Sequence, residues 1–142
     1  MTIEIREAQP SDAEDLAGLI ELLGHQVDAD GVGRRMQRLS SDDLPQLVAT
    51  EGGRVIGLCG LHRMAAIHRE RPVGRVTILV VAPQWRGRGV GRMLVETAEA
   101  QLADAGCGMI EVTSNDRLVE AHRFYESVGY APTSRRFAKQ LD

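Results

Sequence analysis

The sequence predicts an α/β (α+β) domain, with a mixed central sheet of about six to seven strands flanked by about four helices. Three observations lead there. Period-2 apolar runs and period-3.6 apolar stripes alternate along the chain. Their order is β-α-α, then a run of strands, then β-α-β-α-β, so hairpin and crossover connections are both present. The 142 residues, 43% hydrophobic and 26% charged, fit one globular domain over 1–142, with no repeat, low-complexity tract or internal boundary.

Ile3 and Ile5 alternate with Thr2, Glu4 and Arg6, a short strand. Pro10-Ser11-Asp12 opens a helix that Ser11 can cap, with Leu16, Leu19, Ile20 and Leu23 on one face. Residues 29–39 read as a second helix with Val32, Met36 and Leu39 on its apolar side. Leu47-Val48-Ala49 is a strand, Glu51 to Arg54 a turn, and Val55 to about Met64 the return, where Gly57 and Gly60 indicate a bulge or a close backbone approach. Residues 65–72 are a loop. Val73 to Ala82 is apolar on both faces, as a central strand must be. A helix runs from about Gly89 to Ala105, ended by Gly106 and Gly108. Met109 to Ser114 is a strand, and Leu118, Ala121, Tyr125 and Val128 mark one face of a fourth helix, closed by Gly129. Tyr130 to about Lys139 reads as a last strand.

Composition narrows the function classes. A net charge of -3 makes no electrostatic case for nucleic acid. No apolar stretch approaches the ~18 residues that span a membrane, and Met1 to Arg6 lacks the pattern of a secretory leader. Cys59 and Cys107 form no CxxC pair and read as thiols kept reduced. No His, Asp and Glu spacing argues for a metal. The expected setting is cytoplasmic.

The segment that carries chemistry is Val81-Ala82-Pro83-Gln84-Trp85-Arg86-Gly87-Arg88-Gly89-Val90-Gly91-Arg92. A buried strand runs into three closely spaced glycines and then an amphipathic helix. A helix start exposes N–H groups and carries partial positive charge, so it attracts anions. Arg86, Arg88 and Arg92 crowd that positive end, each unfavourable by about 0.3–1 kcal/mol unless an anion is bound. A solvated glycine turn leaves that conflict without a cause; a pyrophosphate removes it. The ATP-type loop is ruled out because no Gly-Lys-Ser or Gly-Lys-Thr follows. The dinucleotide fingerprint fails because Arg92 or Leu94 occupies its third small position.

These residues resemble the GNAT acetyltransferases. Arg86-x-x-Gly89-x-Gly91 is similar to the family's acetyl-CoA signature, with Leu79-Val80-Val81-Ala82-Pro83 as the strand before it. Asn115, then Ala121-His122-Arg123-Phe124-Tyr125 and Gly129-Tyr130, resemble the family's second motif. The resemblance implies a partly splayed sheet and an N-acetyltransferase that passes the acetyl group of acetyl-CoA to a primary amine by direct attack. Backbone groups of Leu79, Val80 and Val81 would hold the pantetheine arm. Arg86, Gly87, Arg88, Gly89, Val90, Gly91 and Arg92 would hold the pyrophosphate, and Asn115, Ala121, His122, Phe124 and Tyr125 would contact the pantetheine and thioester end. The Val81 N–H would meet the oxyanion and Tyr125 would protonate the leaving thiolate; packing is the plainer role for Tyr125.

The family's strand glutamates are missing: the stretch reads Arg75-Val76-Thr77-Ile78. The base is then a water chain or His62, whose plainer role is a half-exposed strand residue. Arg75 and Thr77, with His62, are the candidate acceptor contacts, and Arg75 suits an acceptor bearing a negative group. Gly60-Leu61-His62, Glu120-Ala121-His122-Arg123-Phe124-Tyr125 and Arg136-Phe137-x-Lys139 are further similar to aminoalkylphosphonate N-acetyltransferases. The loops around 24–35 and 65–72 are expected to shape the acceptor pocket. No metal, nucleic acid or membrane is implied as partner, and a homodimer is an assembly such proteins commonly form. An acyl-CoA sensor without turnover, an enzyme acting on a protein amino group and a nucleotide-dependent oxidoreductase are the competing readings.

Overall fold

The structure is a computed structural model that describes residues 2–39 and 44–142. The chain divides into two compact units, Met1–Glu111 and Val112–Asp142.

The sheet has the order β1-β2-β3-β4-β5, with strands Ile3–Glu7, Leu47–Glu51, Arg54–Met64, Val73–Val81 and Met109–Val112, all but the last residue of β5 in the first unit. β1 to β4 are antiparallel neighbours. The β2–β3 turn uses Gly52 and Gly53, both at positive φ (59° and 81°), which a glycine adopts without steric cost. Between β4 and β5 the chain crosses over through helix α3, Val90–Asp104. The Gly108 N–H donates to the Pro72 carbonyl at 3.0 Å, and Arg75 lies 3.9 Å from Glu111. Both pairs advance in the same direction along the chain, so β5 runs parallel to β4.

Two layers cover the sheet. On one face lies α3: a Cβ on Gly57 would meet Leu94 and Val90, and one on Gly74 would meet Leu102. Val90, Leu94, Val95, Ala98 and Leu102 are buried there. On the other face lie α1 (Ala13–Glu21) and α2 (Ala29–Leu39), with Leu16, Leu19 and Val32 packed against Val48, Val55, Leu58 and Val80. These apolar side chains supply the main drive for assembly, about 1.5–3 kcal/mol for each large one fully buried.

The entry to α1 departs from the expected cap. Ser11 is exposed, and a short 3-10 turn at Pro10–Asp12 precedes the helix. Asp12, the residue before α1, makes no side-chain hydrogen bond to that helix; it closes the turn instead, its carboxylate accepting from the Gln9 N–H at 2.8 Å and from both guanidinium nitrogens of Arg6 at 2.8 Å. The Arg6 hydrogen bonds hold the Asp12 carboxyl below its usual range against the opposing effect of burial. Leu23 and Leu39, expected on apolar faces, are 42% and 41% exposed because they lie past or at the ends of their helices.

The second unit contains α4, Val119–Ser127. Gly129 at φ 99° closes it, with hydrogen bonds from the Gly129 N–H to the Glu126 carbonyl and from the Tyr130 N–H to the Tyr125 carbonyl. The last strand expected over 130–139 does not form. Residues 130–142 have no regular secondary structure, and Phe137 and Leu141 are 92% and 87% exposed. Pro132 removes a ladder donor, and Arg135, Arg136 and Lys139 supply charge where alternating apolar residues are required. Among the described residues the sheet has five strands, not six to seven, and the chain has four α-helices.

Candidate active site

β4 carries the first half of the site in its backbone. In the ladder with β3, the Ala82 N–H donates to the Ile56 carbonyl at 2.8 Å. Register partners then alternate between exchanging hydrogen bonds and not exchanging them. Gly57↔Val81 and Cys59↔Leu79 fall in the second class. The N–H and C=O of Leu79 and Val81 consequently point away from β3. β5 begins beside Pro72 and has four residues against nine in β4. Leu79 and Val81 lie past the stretch it accompanies.

The strand leads into the loop. A 3-10 turn at Pro83–Trp85 is followed by Gly87 at φ 75° and Gly89 at φ 83°, the cap residue of α3. A side chain at either position would force the left-handed conformation on an L-residue, at about 1–2 kcal/mol. The first hydrogen bond of α3 runs from the Met93 N–H to the Gly89 carbonyl at 3.0 Å, so the N–H groups of Val90 and Gly91 have no carbonyl inside the helix to meet. No acidic residue sits in this first turn. Each of the three arginines has an internal contact. Arg86 donates through Nε to the Val81 carbonyl at 3.1 Å, the Arg88 guanidinium stands 5.0 Å from the Trp85 ring centre, and Arg92 approaches Glu96 at 4.0 Å. Arg86 thus ties the loop to the outward edge of β4, a role the sequence did not reveal.

The same strand carries the second half in its side chains. Gly60 opposes Ile78 and Leu61 opposes Val76, so Thr77 is an extra residue bulged out of β4. His62 and Arg75 are register partners directly across the two strands. Gly74 and Val76 belong to the α3 face, since Gly74 meets Leu102. His62, Arg75 and Thr77 therefore share the opposite face. His62 and Thr77 are exposed and Arg75 is half-buried. The structure brings together the three acceptor contacts expected from the sequence. It adds two neighbours that were not foreseen. Glu111 approaches Arg75 from β5 and supplies a carboxylate where β4 has none. Gln46 donates through Nε2 to the Leu61 carbonyl at 3.1 Å, beside Gly60. Both are joined to the site by pairing between distant segments, which leaves no local signal in the chain.

A cleft of about 660 Å³ opens between the loop before α2 and that helix, lined by Gln26, Asp28, Arg34, Arg35 and Arg38 among others. It falls on the 24–35 segment expected to shape the acceptor pocket, but includes none of His62, Arg75, Thr77 or the loop residues 86–92. Cys59 is buried, and that burial pushes its thiol up to about 12, so it stays protonated and inert at neutral pH. Among the described residues no group of three or more His, Cys, Asp or Glu side chains could hold a metal ion, and no helix is long and apolar enough to cross a membrane.

In the second unit, Asn115 organises the turn before α4. Its Oδ1 accepts the Arg117 N–H at 3.1 Å, and its carbonyl lies 2.9 Å from His122 Nε2. Phe124 and Tyr125 are half-buried and meet edge to face, with centroids 5.4 Å apart, and Tyr125 meets Tyr130 in the same way at 6.1 Å.

Residues 12–130 match the family described as Acetyltransferase (GNAT). The chain belongs to the GNAT acetyltransferase family. As a GNAT acetyltransferase it is an enzyme of the acyltransferase class. It is 32% identical over 143 residues to an aminoalkylphosphonate N-acetyltransferase of Salmonella typhimurium, covering 97% of this chain and 91% of that one. It is also 32% identical over 136 residues to an aminoglycoside N(6')-acetyltransferase type 1 of Stenotrophomonas maltophilia, covering 92% and 88%. A crystal structure of an aminoglycoside N-acetyltransferase in complex with CoA superposes with a TM-score of 0.87 at 19% identity, over 99% of this GNAT chain and 95% of the other, which establishes the shared fold.

Proposed function

We propose that this GNAT domain transfers the acetyl group of acetyl-CoA to a primary amine of a small molecule, within a ternary complex. The observation that carries the reading is the loop from Arg86 to Gly91. It couples two positive-φ glycines to a helix start without acidic residues, and such a start favours a pyrophosphate. The CoA complex of the aminoglycoside enzyme and the amine substrates in the relatives' names support the same assignment.

The roles follow from the chemistry. The outward N–H and C=O groups of Leu79 pair with the pantetheine amides as an added strand would, and the outward Val81 N–H is left for the acyl oxygen. The amine must arrive neutral, because its lone pair attacks the thioester carbonyl carbon. A C–N bond forms and the carbonyl oxygen becomes an oxyanion, which the Val81 N–H stabilises. Collapse breaks the C–S bond. The excess proton on nitrogen goes to His62 or to a water chain. Tyr125 protonates the departing thiolate of coenzyme A. Asn115, Ala121, His122 and Phe124 line the pantetheine and thioester end. Arg75 receives a negative group on the acceptor. The whole chain from 1 to 142 acts as one catalytic domain.

The test is release of free thiol from saturating acetyl-CoA across a panel of amines: aminophosphonates, aminoglycosides, polyamines and peptide amino termini. Turnover of a small amine is the expected outcome. Tight coenzyme binding with no turnover on any amine contradicts it and leaves an acyl-CoA sensor. Turnover of peptide amino termini alone makes the substrate a protein.

A further inference from the structure

Gln46 and Thr77 converge on one point of the open sheet face. A Cβ built on Gly60 would lie 2.8 Å from Gln46 Oε1 and would overlap Thr77 Oγ1. Both oxygens thus sit over the same glycine, in the space its missing side chain leaves. Their orientation is fixed by different means. Gln46 Nε2 donates to the Leu61 carbonyl, and since a carbonyl only accepts, the amide nitrogen must face Leu61. What remains over Gly60 is a hydrogen-bond acceptor. Thr77 is aimed by the bulge in β4, which turns an extra side chain onto this face. It is exposed, so the pair is open to a ligand.

We propose that Gln46 Oε1 and Thr77 Oγ1 form the site that recognises the acceptor's amine, each accepting one N–H of a neutral primary amine. This rests on the reading that a small primary amine is the acceptor. A neutral primary amine has two N–H donors and one lone pair. Two acceptors over Gly60 hold both donors and leave the lone pair directed outward for attack. Neither acceptor carries a formal charge, so the pair gives the ammonium form no ion-pair partner. Among the described strand residues, His62 from β3 and Arg75 from β4 are titratable or charged groups on this face, and Glu111 from β5 stands 3.9 Å from Arg75. Gly60 is then required at its position: any side chain there displaces both acceptors.

The experiment uses the full chain, acetyl-CoA and the amine panel, with each amine paired to its N-methyl derivative, which lacks one N–H. The wild type should prefer the primary amine. Gln46→Leu and Thr77→Val should each raise the KM for that amine about tenfold. The KM for acetyl-CoA and the melting temperature should stay unchanged, and the preference over the N-methyl amine should shrink. Gln46→Glu should restore acceptor binding and move the rise of kcat/KM to higher pH, because a carboxylate favours the ammonium form. Unchanged amine KM in both apolar variants overturns the proposal. So does a rise in both KM values together with a lowered melting temperature, which marks a packing role. Should Gln46→Leu fail to fold, Thr77→Val decides by the same readouts. Coenzyme binding with no amine turned over by the wild type removes the acceptor reading itself, and this inference with it.

Discussion

The loop at Gly87 and Gly89 and the patch over Gly60 both use glycine, for opposite reasons. In the loop, glycine supplies backbone conformation, with φ near 75° and 83°, and empty space around it: a Cβ at either position would meet nothing within 4 Å. At Gly60 the backbone lies in an ordinary strand and the space is full, with Gln46, Thr77 and Ile78 crowding the place of a Cβ. The first glycines leave the main-chain donors at the start of α3 uncovered, and the second lets side chains of β4 and of Gln46, just before β2, meet. On the proposed function, one enzyme holds a constant donor with backbone and reads a particular acceptor with side chains.

Substitutions at the two kinds of glycine should separate these jobs. Gly89→Val places a β-branched residue at φ 83°. Displacing the N–H groups at the start of α3 by about 1 Å should lower kcat/KM for acetyl-CoA roughly a hundredfold. Steady-state kinetics with the acceptor saturating would show this, with the acceptor's KM little changed.

A second substitution tests whether the fold can be weakened without touching either region. Asp12→Ala removes the partner of Arg6 and the acceptor for the Gln9 N–H. It should cost about 2 kcal/mol of stability in urea unfolding. Both KM values should stay the same. The pH dependence has a definite sign. The carboxyl of Asp12 is lowered in the fold, so its contribution is present above its unfolded value and is lost as pH falls through the folded one. The variant should show a shallower loss of stability on acidification.

Gly60→Ala should act in the reverse sense to Gly89→Val. The added methyl crowds Gln46, Thr77 and Ile78, the last two β-branched and stiff, so a lowered melting temperature should accompany the kinetic effect. The acceptor's KM should rise about tenfold, equivalent to one lost hydrogen bond, while the KM for acetyl-CoA holds. The smallest effect belongs to the thiols. A thiol reagent at pH 8 should label Cys107, which is half-buried, and leave Cys59 untouched until the protein unfolds; mass spectrometry of the labelled peptides would show it.

The same contrast governs what could be read from the chain. The donor loop is contiguous, and its spacing of glycines and arginines after an apolar strand is visible in one stretch of sequence. The helices and central strands declare themselves by period, and α2 falls at residues 29–39 as its apolar spacing requires. The acceptor face is assembled by register. Gln46 is 14 residues from Gly60, and Thr77 another 17 beyond it, and only the pairing of β3 with β4 and the hydrogen bond from Gln46 to Leu61 bring them together. Glu111 reaches Arg75 only through the crossover to β5. The end of the chain failed for another reason: Tyr130 and Phe137 suggest a strand, but strand formation needs a partner edge, and local composition cannot supply one.

The central claim is that the loop from Arg86 to Gly91 binds the pyrophosphate of the acetyl donor. Calorimetric titration of the protein with coenzyme A and with pantetheine, which lacks the pyrophosphate, tests it most directly. Binding of coenzyme A at least about a hundredfold tighter than pantetheine, reduced to the pantetheine level by Gly89→Val, is the predicted result. Equal affinity for the two ligands, or coenzyme binding unaffected by Gly89→Val, would contradict it.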